Sequence, residues 1–345
     1  MDRLGLYEEL KKTTKELSLE LDKQKEIQKT LEQRLDELDH LNINNAVRYA
    51  MDIRQSKEEA QSAKIDTTLA KTEGSTQSIN KNEAHEFARK STIIHIKSGS
   101  VITWIPKNAS SNIRYSVAHD NGVISGIHDI SWIHRNNHTF NASNKELLQA
   151  KNSFVILRNP FKRLLSFYLD KVCHTDESGN DTSYDDAKRL FNTNESTTFE
   201  DFVEIIYQKP MLISKDIHTR QQCDFMIYKK YCDYYSVERL GDAIDSIYKK
   251  TGLKLEDIRA RNSIFTTKGK EKVDSIKHNT TAAEINNCMN MNKSPISESM
   301  FTEDMIGKVA SLYLPDVILY HNMAPNAQKE LQSWMHTLSS LSTYN

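Results

Sequence analysis

Near the start of the chain the apolar positions fall on one helical stripe. Leu10, Thr14, Leu17, Leu21, Gln24, Gln28, Leu31, Leu35, Leu38 and Asn42 alternate in steps of four and three, the seam of a heptad repeat. Lys, Glu and Gln fill the positions between them, so residues 5–42 are expected to form a coiled coil. Polar Thr14, Gln24 and Gln28 weaken the seam and set register or strand number. Two arrangements stay open: self-association into a homo-oligomer, or one amphipathic helix folded back on the rest of the chain. Residues 43–70 contain no Gly or Pro and remain helix-compatible. The expected organisation is therefore a helical, coiled-coil region over 1–70, a small-residue polar linker over 71–86, and an α/β domain over 87–345.

After the linker the pattern changes period. Residues 91–96 and 101–105 are β-branched runs joined by a turn at Gly99, which predicts two short strands. A helix is expected from Ser110 to about His119, with Ile113 and Val117 on one face. Residues 120–145 show no period and read as loop. Phe154–Leu157 is continuously apolar, as a buried parallel strand should be. The next helix has Asn159 at its cap, Pro160 in its first turn, and Phe161, Leu164, Leu165, Tyr168 and Val172 on one face. Residues 174–198 are polar and expected as an exposed insertion. Residues 199–207 are expected as a short helix, 225–227 and 234–237 as strands, and 240–250 as a helix stopped by Gly252. Further helices are expected over 302–313 and 324–341. Strand–helix alternation over 101–172 predicts a mostly parallel α/β sheet.

Composition narrows the function by exclusion. The 345 residues carry a net charge of −1, so no overall field favours nucleic acid or an anionic membrane. No stretch approaches the roughly 20 apolar residues of a transmembrane helix, and the start MDRLGLYEELKK lacks the apolar core of a signal peptide. A cytoplasmic location is expected. Cys173, Cys223, Cys232 and Cys288 form no CxxC pair, which argues for reduced thiols rather than a zinc or redox site. Asn108-Ala109-Ser110 is a glycosylation sequon, and a glycan there would obstruct the loop discussed next.

Candidate chemistry concentrates in two segments, VITWIPKNASSNIR (101–114) and FVILRNPFKRLLSFY (154–168). Each reads as strand, turn and helix. In the first, the small residues Ala109, Ser110 and Ser111 let backbone approach a ligand, and the free N–H groups of a helix start favour an anion. Lys107 adds a mobile cation suited to charge building on a leaving oxygen. A Walker A loop places its Lys after the glycines; here Lys107 comes before the small residues and no Gly is present. In the second, Arg158 stands at the carboxyl end of an apolar strand, where α/β sheets bind ligands, and can grip a phosphate with two parallel N–H bonds. Arg163 and Ser166 share a face of the following helix. Two such units suggest one ligand carrying two phosphate groups.

These segments resemble the paired phosphate-binding motifs of sulfotransferases that use 3′-phosphoadenosine-5′-phosphosulfate, in particular the carbohydrate-acting branch. Pro106-Lys107-Asn108-Ala109-Ser110-Ser111-Asn112 is similar to P-K-x-G-x-[ST]-[ST], with Ala109 in place of Gly and Asn112 in place of the last hydroxyl residue. Arg158 to Tyr168 matches R-[DN]-P-x-x-R-x-x-S-x-[YF] at every named position. DYYSVERL (233–240), His218-Thr219-Arg220-Gln221-Gln222 and the stretch from Phe301 to Asp316 resemble further segments of that branch, so the likeness spans about residues 90–322.

The resemblance implies a P-loop-like three-layer sandwich and in-line sulfuryl transfer to an acceptor hydroxyl, most simply on a glycan, without a metal. It implies that Lys107 stabilises the leaving oxygen. Lys107, Asn108, Ala109, Ser110, Ser111 and Asn112 would hold the 5′-phosphosulfate, and Arg158, Ser166 and Arg163 the 3′-phosphate. A base must take the acceptor's proton. His119, His128, His134 and His138 lie between the motifs, His128 is preferred because it follows Gly126 and adjoins Asp129, and His218 is a further candidate. The competing readings are a nucleotide-dependent kinase and a non-catalytic coiled-coil adaptor carrying a relic domain.

Overall fold

The computed structural model describes residues 66–72, 78–130, 132–136, 138–174, 183–258, 270–331 and 334. The expected coiled coil over 5–42 lies outside them. The architecture is mixed α/β around a mostly parallel central sheet of β1 (Thr92–His95), β2 (Ser100–Thr103), β3 (Asn152–Leu157) and β4 (Asp233–Ser236), in that spatial order. β1 turns back antiparallel on β2 through Gly99, whose φ of +68° is one that a side chain resists. β2, β3 and β4 run parallel, with Thr103 beside Val155 and Leu157 beside Ser236. Their carboxyl ends therefore deliver three loops to one edge of the sheet.

Strand alternation divides the core. Val101, Val155 and Leu157 join one apolar cluster, and Ile102, Phe154 and Ile156 join another on the opposite face. The helices follow this division. In chain order the longer ones among the described residues are α1 (Glu83–Lys90), α2 (Ser110–Asp120), α3 (Pro160–Phe167), α4 (Ser183–Phe191), α5 (Phe199–Gln208), α6 (Leu240–Thr251), α7 (Ala282–Asn290), α8 (Glu303–Leu312) and α9 (Leu314–Met323). Ile113 and Val117 of α2 and Ala243 and Ile247 of α6 pack on the Ile102 face. Phe161 and Leu164 of α3, Phe202 of α5, Val309 of α8 and Val317 of α9 pack on the Val101 face. Fully burying one such side chain stabilises the fold by about 1.5–3 kcal/mol, so each helix is held mainly by its apolar face. A small parallel pair, β5 (Glu271–Val273) and β6 (Lys293–Pro295), lies apart from the main sheet.

Several elements depart from the sequence expectation. α4 lies inside the stretch expected as an exposed insertion, because Tyr184, Ala187 and Phe191 put a buried stripe within polar surroundings. The strand expected over 225–227 does not form: Phe225 closes a helical turn, Gln222–Phe225, and residues 226–227 are in no strand. α9 fills the gap left between two expected helices; its Pro315 sits in the first turn, where a missing N–H costs nothing. α1 begins at Glu83, within the expected linker, and nearby Leu69 is buried and bridges Tyr228. The four cysteines are free thiols. No helix among the described residues is long and apolar enough to cross a membrane.

Candidate active site

The loop between β2 and α2 is backbone-strained. Lys107 has φ +70° and Ala109, which caps α2, has φ +57°. A left-handed residue other than Gly costs roughly 1–2 kcal/mol. That explains why Gly suits the position of Ala109, and strain of this kind gathers at functional sites. The turn brings the first N–H groups of α2 to the sheet edge. The Ser110 and Ser111 hydroxyls stand there half-buried, with no hydrogen-bond partner among the described residues. Asn108 points inward instead: it is fully buried, and its Nδ2 donates to Ile156 O at 3.0 Å and Gln222 Oε1 at 2.6 Å. A sequon buried this way is closed to glycosylation in the folded chain. Asn112 is also buried, and its Oδ1 has no partner among the described residues.

The second loop starts α3. Asn159 caps the helix by accepting from Phe161 N at 3.0 Å and Lys162 N at 3.3 Å, and Pro160 follows it. Phe161 stacks on Trp334 with centroids 4.8 Å apart, which locks the helix start. Arg158 is half-buried and donates from Nη1 to Lys107 O at 2.8 Å, so the two loops touch directly. Ser166, two turns on, keeps a half-buried hydroxyl without a partner among the described residues. Arg163 takes a different place. It is 2% exposed and donates from Nε to Pro106 O at 3.2 Å and from Nη1 to Arg220 O at 2.8 Å, so it braces the first loop from beneath. Burial pushes its guanidinium down and the charge of Asp316 opposes that shift.

Gln222 joins the loops a second time. Its Oε1 accepts from Asn108 Nδ2 and from Arg158 N at 3.0 Å, and its Nε2 donates to Arg158 O at 2.9 Å. Buried Asp316 in α9 accepts from the N–H groups of Gln222 and Cys223 at 2.7 and 3.0 Å and holds this turn in place. Gln222 lies in a stretch that resembles the family, but its spacing of 114 residues from Asn108 leaves no local signal of this role.

Beyond Phe167, α3 continues as a π-helical turn, Tyr168–Val172, a feature frequent at functional sites. It presents Asp170 to Lys107, whose Nζ donates to Asp170 Oδ2 at 2.7 Å. Burial lowers the Lys107 ammonium's pKa, against the pull of Asp170. Burial alone would raise the Asp170 carboxyl, but Lys107 and Lys171 outweigh it and hold it below its ordinary value. Cations crowd this edge. Lys272 of β5 is pushed down by desolvation and by the charges of Arg158 and Lys162, and nothing in its sequence surroundings marks it.

The histidines separate clearly. His128 is 72% exposed on a short turn, Ile127–Asp129, and its neighbours are Ser125 at 3.4 Å and Asp129 at 3.4 Å. It makes no contact with Lys107, Arg158 or either loop among the described residues. His218 stands beside the π turn. Its Nδ1 meets Asp216 Oδ1 at 2.9 Å, its ring lies 6.4 Å from that of Phe167, and its charge acts on Asp170.

A cavity of about 430 Å³ opens next to Asn112, lined also by Val237, Glu238, Leu240, Ile244 and Asp257. Glu238 is fixed there by Asn159 N at 3.3 Å and Tyr320 Oη at 3.0 Å. No group of His, Cys, Asp and Glu suited to a metal ion occurs among the described residues.

Neither the curated proteins nor the solved structures include a match to this chain. The profile described as "Sulfotransferase family" matches residues 90–321, a span that holds β1–β4, both loops, Gln222 and Asp316. With two thirds of its length under that profile and the two strand–loop–helix units meeting at one sheet edge, the chain belongs to the sulfotransferase family.

Proposed function

We propose that the chain moves the sulfuryl group of 3′-phosphoadenosine-5′-phosphosulfate to an acceptor hydroxyl, most simply on a carbohydrate. One observation carries this reading. Adjacent parallel strands place the Lys107–Asn112 loop and the Arg158–Ser166 segment side by side, bonded through Arg158 Nη1 and Lys107 O. Among the described residues each leaves hydroxyl side chains without a protein partner: Ser110 and Ser111 in one, Ser166 in the other. The cavity at Asn112 has room for a nucleoside, and the orphaned Asn112 Oδ1 offers it an acceptor. These residues fit the donor that the family implies, within a P-loop-like fold.

When bound, that donor supplies the sulfuryl group and a bisphosphate leaving group. The chain's own contribution is positioning and charge. Ser110, Ser111 and the α2 N–H groups hold the 5′-phosphate, with Asn108 and Ala109 shaping their loop. Arg158 and Ser166 hold the 3′-phosphate, while Arg163 fixes Pro106 beneath them. Lys107 turns from Asp170 toward the leaving oxygen. For the base, His218 replaces His128 in this proposal. With Nδ1–H donated to Asp216, its Nε2 carries the lone pair and has no partner among the described residues.

The test is calorimetric titration with adenosine 3′,5′-bisphosphate, followed by a screen of hydroxyl acceptors with labelled donor and Lys107→Ala as the control. Micromolar binding without added magnesium and label transfer lost in Lys107→Ala are expected. A requirement for magnesium in nucleotide chemistry would favour a kinase, and absence of bisphosphate binding a non-catalytic adaptor.

A further inference from the structure

Residues 68–71 precede α1 in the chain and have no role in the reading above. They run antiparallel beside residues 227–229. Ala70 N–H donates to Ile227 O at 2.9 Å, Lys229 N–H donates to Thr68 O at 2.9 Å, and Leu69 bridges Tyr228. Leu69 is buried in the apolar cluster that holds Phe225 and Tyr228, which fixes this short strap to the domain. Lys71 follows. Its Nζ donates to Cys223 O at 2.9 Å, across 152 residues of sequence, and its own C=O accepts from Asn82 Nδ2 at 2.7 Å. Asn82 caps α1, whose Phe87 meets Phe225 edge-on with ring centroids 5.0 Å apart. The strap and α1 therefore bear on one element, the helical turn Gln222–Phe225.

That turn carries the glutamine that joins the two loops. Its first N–H groups, from Gln222 and Cys223, are taken by Asp316. Its carbonyls lie at a helix end, where partners within the turn are few, and Cys223 O accepts the Met226 N–H at a longer 3.3 Å. The Lys71 ammonium adds a charge-assisted bond, the stronger kind. A carboxylate thus grips the turn by its N–H groups and a cation grips it by a carbonyl. We propose that residues 68–71 are a clamp on the donor site, with Lys71 a positioning residue that acts through Cys223 and Gln222 on the spacing of the Lys107–Asn112 and Arg158–Ser166 loops. This role rests on the sulfuryl-transfer reading. The relay is short: Lys71 Nζ to Cys223 O, one residue of main chain to Gln222, and the Gln222 amide to Asn108 Nδ2, Arg158 N and Arg158 O. Without the cation the turn samples released arrangements, and apparent donor affinity falls with the fraction of molecules in which it is held. Any event that lifts residues 68–71 off Tyr228 then weakens donor binding from outside the site.

The experiment compares wild type, Lys71→Met, Lys71→Arg, Gln222→Leu and the double variant Lys71→Met with Gln222→Leu, all in the full chain. Adenosine 3′,5′-bisphosphate affinity is read by calorimetry. Turnover is read at limiting donor as labelled sulfate released with water as acceptor, which needs no knowledge of the natural one. Lys71→Met keeps most of the side chain's length and removes its N–H donors. Affinity and sulfate release should fall together by about fivefold to tenfold, and Lys71→Arg, which still donates to Cys223 O, should recover most of the loss. In the Gln222→Leu background the same substitution costs less than about twofold, because residues acting in one network are not additive. Amide hydrogen exchange reads the clamp without a ligand: in Lys71→Met it quickens over 222–227 and also over 106–110 and 158–163, while α5 and α8 keep their wild-type rates. A merely structural lysine would lower the urea midpoint with affinity at the wild-type value, or cost the same in both backgrounds, and either result overturns the proposal. So does quickened exchange confined to 222–227, or no recovery with Arg. If wild type fails to bind the bisphosphate, the sulfuryl-transfer reading falls, and the exchange pattern still decides whether Lys71 holds the loops.

Discussion

Gln222 is the side chain whose removal should separate the two loops most cleanly. It is fully buried, and one amide serves Asn108 Nδ2, Arg158 N and Arg158 O. Gln222→Leu keeps much of the volume and deletes all three bonds. Asn108 Nδ2 retains Ile156 O at 3.0 Å, so its loss is small. The N–H and C=O of Arg158 lose this partner, and a stranded buried polar group costs about 1–3 kcal/mol. Because Arg158 is only half-buried, water reaches part of the site, and a total of about 2–4 kcal/mol is expected. A domain with roughly 5–15 kcal/mol of stability survives that. Urea unfolding should show a lower midpoint with an unchanged slope. Calorimetry should show adenosine 3′,5′-bisphosphate binding weakened by more than about tenfold, since near-attack geometry is lost with small displacements. Gln222→Glu keeps both accepted bonds but sets an oxygen against Arg158 O, so it should fall between wild type and Leu in both measurements. An unchanged midpoint for Gln222→Leu would refute the bonding argument. A lowered midpoint with affinity within about threefold of wild type would refute the claim that Gln222 registers one loop on the other.

Three further outcomes are expected. Ala109→Gly relieves a φ of +57°; the relief of roughly 1–2 kcal/mol exceeds the roughly 0.5–1 kcal/mol of added unfolded-state entropy, so the melting temperature should rise slightly, and a fall would mean the methyl group's packing matters more than the strain. His218→Ala should reduce sulfate release by about 100-fold or more with bisphosphate affinity nearly unchanged, whereas His128→Ala should alter neither; the reverse pattern would restore His128 as the base. Asp120, Asp170 and Asp216 are each held below the ordinary carboxylate value, burial alone tending to raise them and Lys97, Lys107 and His218 outweighing it. A carboxyl with a depressed folded pKa stabilises the fold above its unfolded value of 3.8 and loses that contribution as pH falls through the folded value, so melting temperature should drop steeply below about pH 4 and less steeply in Asp170→Asn; identical acid limbs would contradict the assignment for Asp170.

How much of this could be read from the sequence follows from the range of the interactions. The two strand–loop–helix units were legible because their signals are local: an apolar run, an Asn-Pro helix start, and a cluster of small and hydroxyl residues within a few positions. Asn159, Pro160 and the Phe161 face stand as expected. α4 and α9 were hidden for opposite reasons, one by polar surroundings and the other by a proline that reads as a stop. The roles of Gln222, Asp216 and Asp316 depend on contacts across tens of residues or more, which no period encodes. His128 is marked in the sequence by its neighbours Gly126 and Asp129; in the fold it is largely exposed, beside Ser125 and Asp129. Arg163 matched the motif, but its burial beneath Pro106 makes it a brace for the loop rather than a surface grip.

The bond from Arg158 Nη1 to Lys107 O has a consequence for selectivity among nucleotides. In the proposed function these loops are two anion subsites; tied to each other by a side chain, and to the same glutamine, they cannot drift apart independently. A ligand with phosphates at both ends binds them as a chelate: once one end is seated, the other meets its subsite at a high effective concentration. A nucleotide lacking the 3′-phosphate forfeits that advantage as well as the contact itself. The site would then behave as a ruler, with affinity for adenosine 5′-phosphosulfate falling by more than the worth of one arginine, and the length of the ruler would be set in the protein's interior, at a glutamine that no ligand reaches.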